Sequence, residues 1–215
     1  MIDLHTHTTF SDGALIPAEA ARRAKAAGYA AMAFTDHADA SNLELILANV
    51  SKVAGTYGPY AGIDLFCGVE LTHVPPGLIP DLVRRARSLG AQLVVVHGET
   101  VVEPVERGAN LAAIEAGCDI LAHPGLITPE EVKLAAEKGV YLEITTRKGH
   151  SLTNGHVAAL ARQFGARLVI NNDAHEPGDF VSRTLRRAAA LGAGLSEEEF
   201  LAAEANSREL LRNIP

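Results

Sequence analysis

The chain has 215 residues, of which 47% are hydrophobic and 21% are charged, with no long uncharged apolar run. This composition excludes an intrinsically disordered chain and a membrane-spanning one, and it predicts a soluble globular protein with one domain over residues 1–215. The formal net charge of −7 argues against a stable nucleic-acid partner, because binding along a phosphate backbone depends on lysine and arginine.

The first residues and the two cysteines indicate the compartment. Acid and histidine residues open the chain where a secretory signal would have a basic patch followed by an apolar stretch, so we expect a cytoplasmic protein. Cys67 and Cys118 lie far apart in apolar contexts without a C-x-x-C motif, which predicts free buried thiols. The sequence leaves the oligomeric state open.

Short apolar runs alternate along the chain with stretches of helical period. Strands are predicted at 1–5, 30–37, 63–72, 92–99, 119–125, 140–146 and 167–175. Helices are predicted between them at 16–28, 42–58, 77–90, 108–117, 128–139 and 153–165, and after the last strand at 180–192 and 196–213. This alternation predicts parallel strands with right-handed crossovers, arranged as a closed barrel or as an open doubly wound sheet.

Side chains that can bind metal lie at the ends of six of the seven predicted strands. His5 and His7 are two positions apart at the end of the first strand, so both can point to one face. The others, in chain order, are His37, Glu70, His97, His123, Asp173 and His175. In a barrel the carboxyl ends of all strands surround one mouth, whereas an open sheet would spread these residues along its edge. We therefore favour a barrel.

A single histidine after an apolar run is more often a hydrogen-bonded structural residue than a metal ligand. Here, however, six of the nine histidines lie at strand ends. Independent structural roles explain such a pattern poorly. A shared metal site explains it directly, since clustered imidazoles and carboxylates at barrel strand ends are what a catalytic metal needs.

The ordered motifs DLHTHTTFSDG, FTDH, GVE, VVVHGE, LAHPG and NNDAH resemble those of the PHP (polymerase and histidinol phosphatase) superfamily over nearly the whole chain. The resemblance implies an α/β fold, a distorted seven-stranded (β/α)7 barrel with its active site at the C-terminal ends of the strands. It also implies two or three divalent metal ions, zinc, manganese or iron, in a stand-alone phosphoesterase similar to histidinol phosphatases.

The same resemblance implies a distribution of ligands. One metal would be held by His5, His7, Glu70 and Asp173, a second by Glu70, His97 and His123, and a third by Asp12, His37 and His175. Some members of the family have histidine where this chain has Asp12, so a weaker or different third metal is an open alternative. We assign catalytic roles to Glu70, Asp173 and His175 within this set.

The predicted reaction is hydrolysis of a small phosphorylated substrate by in-line attack of a metal-bound hydroxide. Histidinol phosphate or a related phosphomonoester is the first candidate substrate, and diesters and nucleotides stay open. Arg147 and His150 follow the sixth strand, where they could bind phosphate oxygens; exposure to solvent alone is the alternative, and it is favoured for Lys148.

Several residues keep open roles. Asp36 and Glu99 could orient histidines or form ion pairs at the rim, His73 could lie on a mouth loop, and Asp3 could face the interior. One rival function is a metal-dependent amidohydrolase, whose pattern includes a metal-bridging lysine and an eighth strand, in contrast to Glu70 and seven strands here. The other rival is a non-catalytic metal-stabilised PHP module.

Overall fold

The computed structural model of the protein describes residues 1–213. The strands are β1 (Ile2–Asp3), β2 (Ala31–Phe34), β3 (His37–Ala38), β4 (Asp64–Leu71), β5 (Leu93–His97), β6 (Ile120–Ala122), β7 (Tyr141–Thr145) and β8 (Leu168–Asn171). The α-helices are α1 (Pro17–Ala26), α2 (Leu43–Ala61), α3 (Ile79–Ser88), α4 (Ala109–Ala116), α5 (Pro129–Lys138), α6 (Asn154–Phe164), α7 (Arg183–Gly192) and α8 (Glu197–Arg212).

All paired strands run parallel, in the order β1-β2-β4-β5-β6-β7-β8. The short β3 continues β2, because both pair with β4: Ala31 lies opposite Asp64, and His37 lies opposite Glu70. The structure therefore has seven barrel strands with helices between them, and the predicted distorted (β/α)7 barrel is confirmed.

The first and last strands meet along an irregular seam. A single parallel bridge joins Thr6 to Ala174, and the His7 amide donates to the Ala174 carbonyl at 2.8 Å. Further down the seam, the Leu4 amide donates to a side-chain oxygen of Asn171 at 3.0 Å. Because β1 is only two residues long, these contacts replace a regular ladder. The seam places the first two histidines beside residues 173–175.

Alternating residues of the strands face opposite sides of the sheet. One set forms a small inner apolar cluster with a residue of α8 (Ile2, Leu4, Ala31, Ala33, Leu93, Val95, Ile120, Ala122, Tyr141, Val169 and Leu210). The other set packs against the surrounding helices in a larger outer core. The inner apolar cluster fills the barrel below the mouth, as in other α/β barrels.

The helices begin and end at the residues that local sequence favours. Thr128 caps α5 by accepting from the Glu131 amide at 3.2 Å, and the Glu131 carboxylate accepts from the Thr128 amide at 2.8 Å. α5 ends at Gly139, which has a φ of 74° that glycine adopts readily. Among residues 1–213, no helix is both long and apolar enough to cross a membrane.

The inward-facing positions change from apolar to polar toward the C-terminal ends of the strands. Val95 is followed at the next inward position by His97 on β5, and Tyr141 is followed by Glu143 on β7. Gly98 allows the end of β5 to approach β6, because a Cβ at this position would lie 2.4 Å from the Ala122 carbonyl oxygen. The result is a polar layer above the apolar filling, at the mouth of the barrel.

Candidate metal centre

The structure brings all nine residues of the predicted ligand set to the mouth of the barrel. We call these residues the cup: His5, His7, Asp12, His37, Glu70, His97, His123, Asp173 and His175. Seven of them are buried, whereas His37 is partly buried and Asp12 is exposed. Their donor atoms form overlapping groups in which all atoms lie within 4.8 Å of one another.

Glu70 lies at the centre of the cup. Its Oε1 is 3.2 Å from His5 Nε2 and 3.6 Å from His123 Nε2. Its Oε2 is 2.7 Å from His37 Nδ1 and 3.7 Å from His7 Nε2. Burial alone would raise the pKa of Glu70, but the surrounding imidazoles hold that pKa well below its ordinary value. A charged carboxylate with each oxygen facing a different set of imidazoles is suited to bridging two cations.

Asp173 faces Glu70 across the first group of histidines. Its Oδ1 is 3.1 Å from His7 Nε2 and 3.7 Å from His5 Nε2, and its Oδ2 is 3.8 Å from His123 Nε2. Asp173 has a φ of 52° and His123 a φ of 27°, in a region that non-glycine residues rarely adopt. Such backbone strain persists only where the surroundings impose it, and it is concentrated at functional sites.

The third group lies nearer to solvent. Asp12 Oδ1 is 3.5 Å from His37 Nε2 and 3.3 Å from His175 Nε2. The His7 ring packs between these two imidazoles, with centroids 4.1 Å from each. Burial raises the pKa of Asp12, but its contacts with His175 and His37 outweigh burial and lower it to about 2. His7 therefore lies between the first and third groups, whereas the sequence resemblance assigned it to the first group alone.

Unpaired polar atoms test whether the cup fits divalent cations. In the cup, the buried atoms without a hydrogen-bond partner are His5 Nε2, both ring nitrogens of His7, Glu70 Oε1, His123 Nδ1 and Asp173 Oδ1, whereas the remainder of residues 1–213 has only two such side-chain atoms, Tyr141 OH and Arg186 Nη1. An unsatisfied buried polar group costs about 1–3 kcal/mol, so such a concentration requires an explanation. Imidazole nitrogens and carboxylate oxygens are ligands of zinc, manganese and iron. The donor set therefore fits divalent cations.

The electrostatics of the cup favour neutral imidazoles at two positions. Burial and the neighbouring histidines lower the pKa values of His7 and His123 well below the ordinary value. Burial also opposes protonation of His5, but the nearby carboxylates, with Glu143 the strongest, hold its pKa well above the ordinary value. Neutral imidazole is the form that binds a cation, so His7 and His123 are ready ligands near neutral pH.

Glu143 is a functional residue that sequence reasoning missed. Its fully buried carboxylate lies beneath the cup, with Oε1 2.9 Å from His5 Nδ1 and 2.8 Å from Asn171 Nδ2. Its Oε2 accepts from the His123 backbone amide at 3.1 Å. This arrangement keeps a proton on His5 Nδ1, so Nε2, which faces Glu70, is the ring nitrogen that is free to bind a cation. The available signal was a single acid at an inward position of the apolar run VYLEITT.

The two residues predicted to bind substrate lie at the mouth. Arg147 is partly buried, and its Nη1 donates to the Asp173 carbonyl at 3.2 Å and to Asp179 Oδ2 at 3.3 Å. His150 is buried, and its ring stacks on His123 with centroids 4.2 Å apart. Lys148 is exposed and lines a cavity of about 410 Å³ together with Arg147.

Two carboxylates with open roles bind backbone and hydroxyl groups. Asp36 accepts from the Thr8 amide at 2.7 Å and from the Ser11 hydroxyl at 2.9 Å, so it orders the turn after the first strand. Glu99 accepts from backbone amides at the start of α4, at 2.9 and 3.1 Å. Among residues 1–213, neither carboxylate has a histidine as a hydrogen-bond partner and neither forms an ion pair, so their observed contacts are with backbone amides and hydroxyl groups.

The remaining open residues lie below and above the cup. Asp3 is fully buried and accepts from the backbone amide and the side chain of Asn172 at 3.1 and 2.6 Å, which fixes the residue before Asp173. Burial raises the pKa of Asp3 to about 6. His73 is exposed on a mouth loop, beside Glu103. Sequence reasoning missed Glu103 as well, since nothing in the stretch VVEPVER distinguishes it.

Comparisons with known proteins show which sequences the chain is similar to. The family model of the PHP domain matches residues 3–106. The uncharacterized protein MJ1295 of Methanocaldococcus jannaschii is 48% identical over 199 residues, which are 92% of this chain and 91% of that protein. Ribonuclease P protein component 3 of Methanosarcina mazei is 29% identical over 207 residues, covering 88% of this chain and 80% of that protein.

Solved structures share the fold at low sequence identity. The "putative histidinol phosphatase hisK" of Listeria monocytogenes aligns with a TM-score of 0.62 and 14% identity, covering 83% of this chain and 97% of that chain. Two amidohydrolases align with TM-scores of 0.62 and 0.59 at 15% and 12% identity, and the second of them holds bound Zn. The family match and the sequence relatives together lead to one conclusion: the chain belongs to the PHP superfamily.

Proposed function

We propose that the protein is a metal-dependent phosphoesterase that hydrolyses a small phosphorylated substrate at the mouth of the barrel. One observation carries the proposal: buried donor atoms of His5, His7, Glu70 and Asp173 converge without hydrogen-bond partners. Histidinol phosphate and related phosphomonoesters are the first substrates to test, given membership of the superfamily.

We expect the overlapping donor groups of the cup to hold two or three divalent cations, distributed as the family resemblance implies. His5, His7, Glu70 and Asp173 would hold one, Glu70 with His97 and His123 a second, and Asp12 with His37 and His175 a third. Bound cations would supply positive charge for phosphate oxygens and lower the pKa of water toward neutrality. Glu70 and Asp173 have the central positions, which is why we assign catalytic roles to them, and His175 lies on the side open to solvent.

Residues outside the cup would bind and orient the substrate. Arg147 donates to protein acceptors through Nη1, and its Nε lies 3.5 Å from Asp173 Oδ2, so its Nη2 group is available to phosphate oxygens. His150 lies beside His123 and can contact the same phosphate. A cavity of about 440 Å³ opens next to Asp12, His37 and His73, which is enough for a small leaving group.

The test is phosphate release by protein stripped with EDTA and reloaded with Mn²⁺ or Zn²⁺. We expect metal-dependent release from phosphomonoesters that is abolished in His7→Ala. The matched control is His156→Ala, since His156 lies on α6 and contacts the Ile127 carbonyl at 2.7 Å rather than the cup. Failure to release phosphate from any ester with any metal, or release that persists unchanged after stripping, contradicts the proposal.

An amidohydrolase is the second candidate, because amidohydrolase structures share the fold. The central position between two ligand groups is held by Glu70, however, and not by a lysine. Lys148 is exposed at the rim, away from that position. Hydantoin and lactam substrates in the same assay distinguish this candidate by ring opening, and a non-catalytic module would bind metal without turnover in either panel.

A further inference from the structure

Asn172 lies between the end of β8 and the cup residue Asp173, and its polar side chain is buried. The Nδ2 group donates to Asp3 Oδ2 at 2.6 Å and to the Tyr29 hydroxyl at 2.6 Å. The Oδ1 atom accepts from the Thr146 hydroxyl at 3.2 Å. Both polar atoms of this side chain therefore have partners, and the partners come from three separate segments of the chain.

These hydrogen bonds permit one orientation of the Asn172 amide. The Tyr29 hydroxyl donates to the Val181 carbonyl at 2.9 Å, and because a carbonyl can only accept, this hydroxyl accepts from Asn172. The Asp3 carboxylate accepts from the Asn172 backbone amide at 3.1 Å as well as from the side chain. An inverted amide would place its oxygen against that carboxylate. The backbone and the side chain of Asn172 are thus held together in one arrangement.

The residue that follows needs such support. Asp173 has a φ of 52°, a conformation that a non-glycine residue keeps only where its surroundings impose it. In this conformation Asp173 Oδ1 lies 3.1 Å from His7 Nε2. A return of φ to the ordinary negative range would move the carboxylate away from the imidazoles of the first ligand group. The geometry of that group therefore depends on the residues that fix the backbone before Asp173.

Asp3 connects Asn172 to the other side of the barrel seam. Asp3 lies on β1, and its Oδ1 accepts from the His5 backbone amide at 3.4 Å in addition to the Asn172 amide. The segment after β1 carries His5 and His7, and the segment after β8 carries Asp173. One buried carboxylate therefore contacts the backbone of both segments that carry the first ligand group.

We propose that Asn172, together with Asp3 and Tyr29, is a positioning residue that holds the Asp173 backbone so that its carboxylate points into the first ligand group. Among residues 1–213, none of these three side chains has a hydrogen bond to a side chain of the cup, so they act on a bound cation through Asp173. This inference rests on the proposed function only in requiring a divalent cation in the cup.

The experiment is a titration of the metal-stripped protein with Co²⁺, followed by visible absorption, with chemical unfolding in EDTA measured in parallel. Asn172→Ala removes three hydrogen bonds, and we expect it to weaken one Co²⁺ site by about tenfold or more and to change its d–d band intensity. Tyr29→Phe removes one hydroxyl and keeps the buried ring, so it should cause a smaller change in the same direction.

The matched control is Asn154→Ala. Asn154 is also buried, and its side chain accepts from the Thr145 amide at 3.2 Å and donates to the Thr145 carbonyl at 2.8 Å, away from the cup. This variant should lose stability and titrate with Co²⁺ like the wild type. A purely structural role of Asn172 would give the same result in Asn172→Ala.

A second comparison shows whether the effect passes through Asp173. In an Asp173→Asn background, Asn172→Ala should add little further loss of Co²⁺ affinity, whereas independent effects would add. Additive losses overturn the inference. Wild-type Co²⁺ affinity and spectrum in Asn172→Ala, or in Tyr29→Phe where Asn172→Ala does not fold, also overturn it and leave the proposed function intact. A wild-type protein that binds no Co²⁺ overturns both.

Discussion

Glu143 orients His5 in the cup and also fills space inside the barrel. Replacing it with glutamine distinguishes these two roles. Glu143→Gln preserves the size of the side chain but exchanges one acceptor oxygen for an NH₂ donor. The Oε1 position faces His5 Nδ1 and Asn171 Nδ2, and the Oε2 position faces the His123 amide. Asn171 cannot turn its amide around without loss, because its oxygen accepts from Leu4. In either orientation of the new side chain, one buried donor therefore faces another.

The expected magnitude follows from these contacts. One buried donor left without an acceptor lowers the free energy of unfolding by about 1–3 kcal/mol. If the new NH₂ group faces His5 Nδ1, the proton of that ring moves to Nε2, the atom 3.2 Å from Glu70. Loss of a carboxylate partner behind a ligating histidine typically lowers metal affinity by about 10–100-fold. We expect both effects in Glu143→Gln.

The assay is Zn²⁺ competition with a chromophoric chelator, combined with chemical unfolding in EDTA. Glu204→Gln is the matched control, because Glu204 is a buried carboxylate on α8 that accepts from Arg186 at 2.7 Å and contacts no cup residue. The control should lose stability and keep its Zn²⁺ affinity. If Glu143→Gln behaves in the same way, Glu143 serves packing alone and the proposed orientation of His5 is refuted.

Three other perturbations test separate parts of the site. Asp173→Asn should abolish turnover and reduce the amount of bound metal, because the amide keeps the size of the side chain but loses its charge and one acceptor. The circular dichroism spectrum should be unchanged, and a wild-type metal content would contradict the prediction. If Arg147 binds the phosphate of the ground-state substrate, Arg147→Ala should raise KM with little change in kcat. Lys148→Ala is the control, and unchanged kinetics in Arg147→Ala would show that Arg147 does not bind the substrate. The pKa of Asp3 is about 6 against an ordinary 3.8, so the folded protein loses about 3 kcal/mol as pH rises from about 4 to 7. Asp3→Asn should therefore gain stability relative to wild type over that range, and a pH-independent difference in unfolding free energy would contradict the argument.

Strand and helix order was predictable from sequence because each element has its own period and stop signal. All seven barrel strands and all eight helices appear near their predicted positions. The predicted end of α2, residue 58, was wrong. The helix continues through Pro59 to Ala61, and Gly62, with a φ of 64°, forms its C-cap. Proline in the last turn removes only the hydrogen bond to residue 55, an exposed glycine, so the helix tolerates it.

The convergence of distant residues was predictable because a barrel gathers all strand ends at one mouth. That argument applies to His5 and His123, which follow β1 and β6, but it says nothing about Glu143, which lies within β7. Glu103 was missed because the path of its loop depends on anchors elsewhere, such as the contacts of Glu99 with α4. The Asp36 carboxylate likewise accepts from groups in the turn after the first strand, the Thr8 amide and the Ser11 hydroxyl, and no local sequence pattern predicts the shape of that turn.

The most direct test of the cup is anomalous X-ray diffraction from crystals of the protein grown with Zn²⁺ or Mn²⁺. The account predicts anomalous peaks at about 2.0–2.2 Å from His5 Nε2, His7 Nε2 and the carboxylates of Glu70 and Asp173. Maps that show only water among these atoms, at metal concentrations that saturate the protein in solution, would contradict it.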